Sequence, residues 1–65
     1  MKTLKYQNIK SGKLYTVLSF DIINATNKDD GERMVLYEGE RKNSTDIAQF
    51  VRNYDEFMIK FIKYE

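Results

Sequence analysis

Gln49-Phe50-Val51-Arg52-Asn53-Tyr54-Asp55-Glu56-Phe57-Met58-Ile59-Lys60-Phe61 carries four of the nine aromatic side chains of this 65-residue chain, which has five Tyr, four Phe and no Trp. A small fold must bury part of that stretch, so its conformation decides the architecture. Two readings compete. Ile47, Phe50, Val51, Tyr54, Phe57, Met58 and Phe61 recur at three- and four-residue intervals. Ser44 or Thr45 can serve as a cap, Asp46 falls in a first turn, and Lys60 and Lys63 lie near a C-terminal end. On pattern alone a helix over about 46–63 is favoured, lying across a three-stranded sheet in an α+β fold. The alternative is a strand around Ala48 to Arg52, one helical turn around Tyr54 to Met58, and a last strand from about Ile59 to Tyr64.

The upstream sequence reads as strands. Lys13-Leu14-Tyr15-Thr16-Val17-Leu18-Ser19-Phe20-Asp21-Ile22-Ile23 is rich in β-branched and aromatic residues and has no 3.6-residue period. Simple alternation puts Leu14, Thr16, Leu18, Phe20 and Ile22 on one face and Tyr15, Val17, Ser19, Asp21 and Ile23 on the other. Residues 1 to 10, with Leu4, Tyr6 and Ile9, predict a lysine-guarded edge strand, closed by a Ser11-Gly12 turn. The polar run Asn24 to Glu32 ends in Asp30-Gly31, a pair suited to a tight turn. It predicts a hairpin whose return strand is Arg33 to Glu38. Gly39 to Thr45 reads as a second polar loop. No repeat or linker divides the chain, so residues 1–65 are expected to form a single domain.

At this length a domain buries only about 60% of its unfolded surface. With no Cys and no His, neither disulfides nor thiolate or imidazole metal sites reinforce it, and burial must supply the stability. Lys2 is not followed by the apolar core of a signal peptide, and no run approaches a membrane span. A cytoplasmic protein with no membrane association is expected. Asn24-Ala25-Thr26 and Asn43-Ser44-Thr45 match the glycosylation sequon but read as turn residues. Net charge is +1, unevenly spread: Lys2, Lys5, Lys10 and Lys13 stand in residues 1–20 without an acid.

Tyr6-Gln7-Asn8-Ile9-Lys10-Ser11-Gly12-Lys13-Leu14-Tyr15-Thr16-Val17-Leu18 resembles the opening of the bacterial and phage domain-of-unknown-function family 1653: a tyrosine, an aromatic-Lys-Gly turn and a Tyr-x-Val-Leu strand. Glu32-Arg33-Met34-Val35-Leu36-Tyr37 resembles its Glu-x-x-Val-Val-Tyr strand. Phe50-Val51-Arg52 with Phe57 resembles its closing aromatic-Val-Arg-Pro and following Phe. Asn53 stands where that family usually has proline, Asn8 where it often has histidine, and Phe50 where tryptophan is common. The resemblance implies a mainly β fold, an SH3-like small barrel of about five strands with one short helical turn near the C-terminus. It supplies no activity. Without a proline after Arg52, the long-helix reading stays open.

Chemistry is sparse. Catalysis would fall to carboxylates, and Asp29-Asp30 with Glu32, or Asp55-Glu56, are neighbours in predicted turns rather than groups opposed across a cleft. An enzyme is therefore not expected. Asn27, Asp29, Asp30 and Glu32 offer oxygen ligands but lack a calcium-loop pattern, so no metal site and no cofactor is expected. The three glycines, Gly12, Gly31 and Gly39, read as isolated turn residues, not a phosphate cradle.

Tyr15, Tyr37, Arg52 and Tyr54 form the candidate binding set. Aromatic faces stack on bases or accept cations, and a guanidinium fork grips a carboxylate or phosphate. The rival reading has the tyrosines completing the core and Arg52 pairing with Asp55, Glu56 or Glu38. The expected function is a non-catalytic interaction module for a protein or small ligand. Alternatives are a phage-encoded inhibitor of a host enzyme, a protein that sequesters a nucleotide signal, and a weak nucleic-acid binder using the lysines with Tyr6 and Tyr15. An uncovered strand edge, or leftover aromatic surface around Phe57 and Phe61, would pair two copies as a homodimer.

Overall fold

The computed structural model describes residues 4–26, 31–41 and 45–64. Five antiparallel strands form one sheet: β1 (Leu4–Asn8), β2 (Leu14–Asn24), β3 (Glu32–Glu40), β4 (Ile47–Asn53) and β5 (Phe61–Lys63). A short helix, α1 (Tyr54–Lys60), stands between the last two. The strand order is β4-β3-β2-β1-β5. The fold is mainly β, as the resemblance implied, and the long C-terminal helix does not form.

The first two hairpin turns, β1–β2 and β2–β3, follow from local chemistry. Gly12 has φ 78° and Gly31 φ 90°, in the left-handed region where a Cβ is penalised. At the first turn the Asn8 carbonyl accepts from Gly12 N–H at 2.7 Å, and its side-chain Oδ1 accepts from Ser11 N–H at 2.9 Å. Asn8 N–H closes the loop onto the Lys13 carbonyl at 2.9 Å. At the second, Gly31 N–H donates to the Asn24 carbonyl at 2.7 Å; Asp30 lies outside the described residues.

β1 is not an edge strand. It pairs with β2 on one side, with Tyr6 opposite Tyr15, and with β5 on the other, with Asn8 opposite Phe61. The edge expectation rested on mixed polarity, but the closing three residues of the sheet add to its free side. The edges of the sheet are β4 and β5.

The alternation expected along β2 also fails midway. Tyr15 and Val17 face the core, Leu14 and Leu18 are exposed, and Phe20 and Ile22 then turn inward. Register shifts between Val17 and Ser19 and between Ser19 and Ile22 explain the change, because extra residues in one strand break the two-residue period. Ser19 Oγ accepts from Asp21 N–H at 3.1 Å within this irregular stretch.

Gly39 lies inside β3 rather than in a loop, opposite Ala48. A Cβ built there would come within 2.3 Å of Tyr15 Cδ2, so the Tyr15 ring lies directly over the glycine backbone. Strand pairing continues to Glu40 opposite Ile47, beyond the expected end at Glu38.

The C-terminal segment breaks at Asn53. With φ −53° and ψ 138°, this residue is extended, and its Oδ1 accepts from Glu56 N–H at 3.1 Å, capping α1. Its amide also donates to Glu32 Oε2, anchoring the break to β3. Of the expected caps, Thr45 precedes a strand and Ser44 lies outside the described residues. The three-and-four spacing arose because two strands and a helical turn all present aromatics inward.

Phe57 is fully buried and Phe61 nearly so, their rings stacked at 4.2 Å and 7°. No leftover aromatic surface remains there. Tyr6, Val17, Val35 and Tyr37 complete the core, with Tyr15, Phe20, Phe50 and Tyr54 packed against it. Tyr15 touches Phe50 of β4 and Phe61 of β5, the two ends of the sheet, with ring centroids 6.2 and 5.5 Å away. The sheet is thus curled around a shared aromatic centre, in the manner of a small open barrel.

Candidate recognition groove

Arg52 is the only charged residue of β4 and sits opposite Val35, on the inward side of the strand. Tyr37, two residues further along β3, is buried, and its hydroxyl needs a partner there. Arg52 Nε donates to that hydroxyl at 3.2 Å, and a terminal nitrogen meets Glu56 Oε2 at 3.2 Å. Lys60 Nζ reaches the same carboxylate oxygen at 3.3 Å. The guanidinium carbon stands 5.7 Å from the Phe61 ring centre. The Tyr37 hydrogen bond raises the Arg52 pKa above its ordinary value; burial opposes this, and the Tyr37 and Glu56 charge interactions add to it. Arg52 is therefore a fixed cation.

Above it lies a groove of about 340 Å³ lined by Asn8, Ile9, Lys10, Arg52, Ile59 and Lys60. The pairing of β1 with β5 continues into it, since Ile9 N–H donates to the Lys60 carbonyl at 3.0 Å. The N-terminal turn and the end of α1 thereby form its two walls. Ile9 is 62% exposed and Ile59 74%, and Lys10, Arg52 and Lys60 surround them against the single carboxylate of Glu56. Such a surface favours an anion carried next to an apolar group.

The four residues singled out from sequence are divided. Tyr37 and Arg52 are hydrogen-bonded, and Tyr15 packs edge-on to Tyr37 at 5.5 Å. Tyr37 is buried and Tyr15 half-buried, so both support Arg52 from the core side. Tyr54 stands apart. Its ring carries the Arg33 guanidinium at 3.8 Å and packs against Phe20 at 6.3 Å. Arg33 is held further by the Phe20 carbonyl, which accepts from Nε at 2.8 Å, and by Asp21 at 3.2 Å. Arg52 thus has the acid partner that the rival reading assigned to it, and it also lines the groove.

The sequence does not place Ile9, Ile59 or Lys60 in a site, and it gives Lys10 only to the nucleic-acid alternative, because these residues lie at opposite ends of the chain. Among the carboxylates read as candidates, Glu32 accepts from the Asn24 and Asn53 amides. Asn27, Asp29 and Asp30 lie outside the described residues. Among the described residues, no three His, Cys, Asp or Glu side chains converge on a metal position, and no helix is long and apolar enough to cross a membrane.

Comparison with known proteins finds no matching family model, no matching curated protein and no matching solved structure.

Proposed function

We propose that this chain is a non-catalytic interaction module that captures an anionic, partly apolar segment of a protein or small ligand in the groove over Arg52. One observation carries the reading: three cationic side chains converge on two exposed isoleucines in a concave site. A small curled sheet offers shallow recognition surfaces better than a closed reaction chamber. The cations would neutralise a carboxylate or phosphate while the isoleucines cover the apolar neighbour. A cytoplasmic setting fits a chain with no cysteine to staple it, and a bacterium or phage-infected cell is what the resemblance to family 1653 implies.

The test is thermal stabilisation by panels of short acidic peptides and of nucleotides, because binding to the native state alone raises the melting temperature. Stabilisation by acidic peptides that is lost in the Lys10→Ala/Lys60→Ala variant supports a protein-binding module. Stabilisation by nucleotides with the same loss supports sequestration of a nucleotide signal. A wild type that no member of either panel stabilises refutes the groove as the binding site. Nucleic-acid binding through the N-terminal lysines shares only Lys10 with the groove, and Tyr6 is buried and Tyr15 half-buried against Gly39, so base stacking on those rings does not support it.

A further inference from the structure

The two edges of the sheet are guarded very differently. β5 is three residues long and ends in Lys63, and short, charged edges resist pairing with other chains. β4 is seven residues long, and Ile47-Ala48-Gln49-Phe50-Val51 within it contains neither charge nor proline. It hydrogen-bonds to β3 alone within the sheet. Its outward residues Ile47 and Val51 are 63% and 56% exposed. Val51 stands opposite Leu36, and the exposed Leu18 lies beside that pair across the β2–β3 bulge, so an apolar stripe crosses the outer face of the sheet up to the free edge.

We propose that this edge pairs with the β4 edge of a second copy, antiparallel about a two-fold axis through Gln49. The sequence is self-complementary in that register. Ile47 falls opposite Val51 of the other copy, a pair of β-branched side chains of the kind that stabilises sheets. Ala48 falls opposite Phe50, small against large, and Gln49 meets Gln49. Moving the axis one residue either way sets Ile47 against Gln49 or against Asn53 and loses that match. A two-fold arrangement closes on itself, so the assembly stops at two copies and joins the two sheets into one. The partner is fixed by the symmetry of the edge itself, and the inference is independent of what the groove binds.

The absence of cysteine makes the register directly measurable. Directly opposed residues in an antiparallel pair lie about 4.5–5.5 Å apart between Cα atoms, within the span a disulfide bridges. The Gln49→Cys variant is expected to form a covalent dimer on mild oxidation, while Thr45→Cys and Ile23→Cys controls remain largely monomeric. Sedimentation of the unmodified chain should show a monomer–dimer equilibrium. Val51→Lys, which places a charge at an already exposed position, should shift it to monomer with unchanged circular dichroism. Adding Ile47→Glu to Val51→Lys sets opposite charges across the axis and should restore dimer at low salt. A chain monomeric at millimolar concentration, a dimer unaffected by Val51→Lys, association beyond two copies, or equal cross-linking of all three cysteine variants would each overturn the proposal.

Discussion

Replacing Gly39 by Ala tests whether the Tyr15 ring is built against bare backbone. The added methyl would sit 2.3 Å from Tyr15 Cδ2, 2.7 Å from Cε2 and 3.2 Å from Cγ. These are ring carbons close to the backbone, not the far end of a flexible chain, so the ring must move bodily. It is held edge-on by Tyr37, Phe50 and Phe61, at centroid distances of 5.5, 6.2 and 5.5 Å. Overpacking of this kind costs about 1–3 kcal/mol, and losing the geometry of one aromatic pair costs about 0.5–1.5 kcal/mol more. The reduced freedom of the unfolded chain returns about 0.4–1 kcal/mol. The net is a destabilisation of about 2 kcal/mol, against a total of about 3–10 kcal/mol for a domain of this length. Urea titration should show a lower midpoint with an unchanged slope, and the melting temperature should fall by about 8–16 °C. In a Tyr15→Ala background the same change should cost less than about 0.5 kcal/mol, since the clashing ring is gone. A Gly39→Ala protein as stable as the original, or an equal cost in both backgrounds, would show that Tyr15 does not occupy this position.

Asn53→Ala removes both the cap on Glu56 N–H and the amide that Glu32 accepts; a loss of about 1–2 kcal/mol in chemical denaturation is expected. Tyr37→Phe keeps the ring contacts but leaves Arg52 Nε without its acceptor, so a cost of about 1 kcal/mol should come with weaker groove binding measured by calorimetry. Arg52→Lys should retain the fold by circular dichroism yet lose most of that binding, because a single ammonium cannot serve Tyr37, Glu56 and a ligand at once. At the other arginine the ring and carbonyl matter more than the acid. Arg33→Ala should cost about 1–2 kcal/mol. Asp21→Asn should change stability by less than about 0.5 kcal/mol, as the Asp21 side chain is 84% exposed.

The first two hairpins are legible because their signals are local. Gly12 and Gly31 occupy positive φ within the turns they make, and the strands flanking them carry the expected residue types. Gly39 was read as a loop residue because its need for a missing side chain comes from Tyr15 on another strand, which no local pattern announces. The β2 faces were half right, since a bulge leaves no consistent mark in a run of β-branched and aromatic residues. The C-terminal ambiguity was physical as well. Phe57 and Phe61 share a face at helical spacing, and their rings do stack, but Phe61 has already left α1 for β5. The side chain of Asn53, reaching forward to Glu56 and across to Glu32, marks the break between strand and helix, and the second of those contacts is long-range, as is the pairing of β4 with β3 and of β5 with β1. The groove was illegible for the same reason, since Ile9 and Lys60 meet only once β1 and β5 have paired.

That dependence joins recognition to stability. The Tyr37 ring contacts Tyr15, Phe50, Phe57 and Phe61, so its position is set by residues of β2, β4, α1 and β5 together. Its hydroxyl is the one polar atom of that cluster bonded to a groove side chain, and it orients Arg52 through Nε. Glu56 fixes the other side of the fork, and Glu56 is itself placed by the turn that Asn53 caps. A guanidinium held by two partners from different elements has little rotamer freedom left to lose when an anion arrives. A loosened core would therefore weaken the groove before it exposed much new surface, and variants that lower stability through Tyr15 or Asn53 should lose affinity without any contact to the bound group.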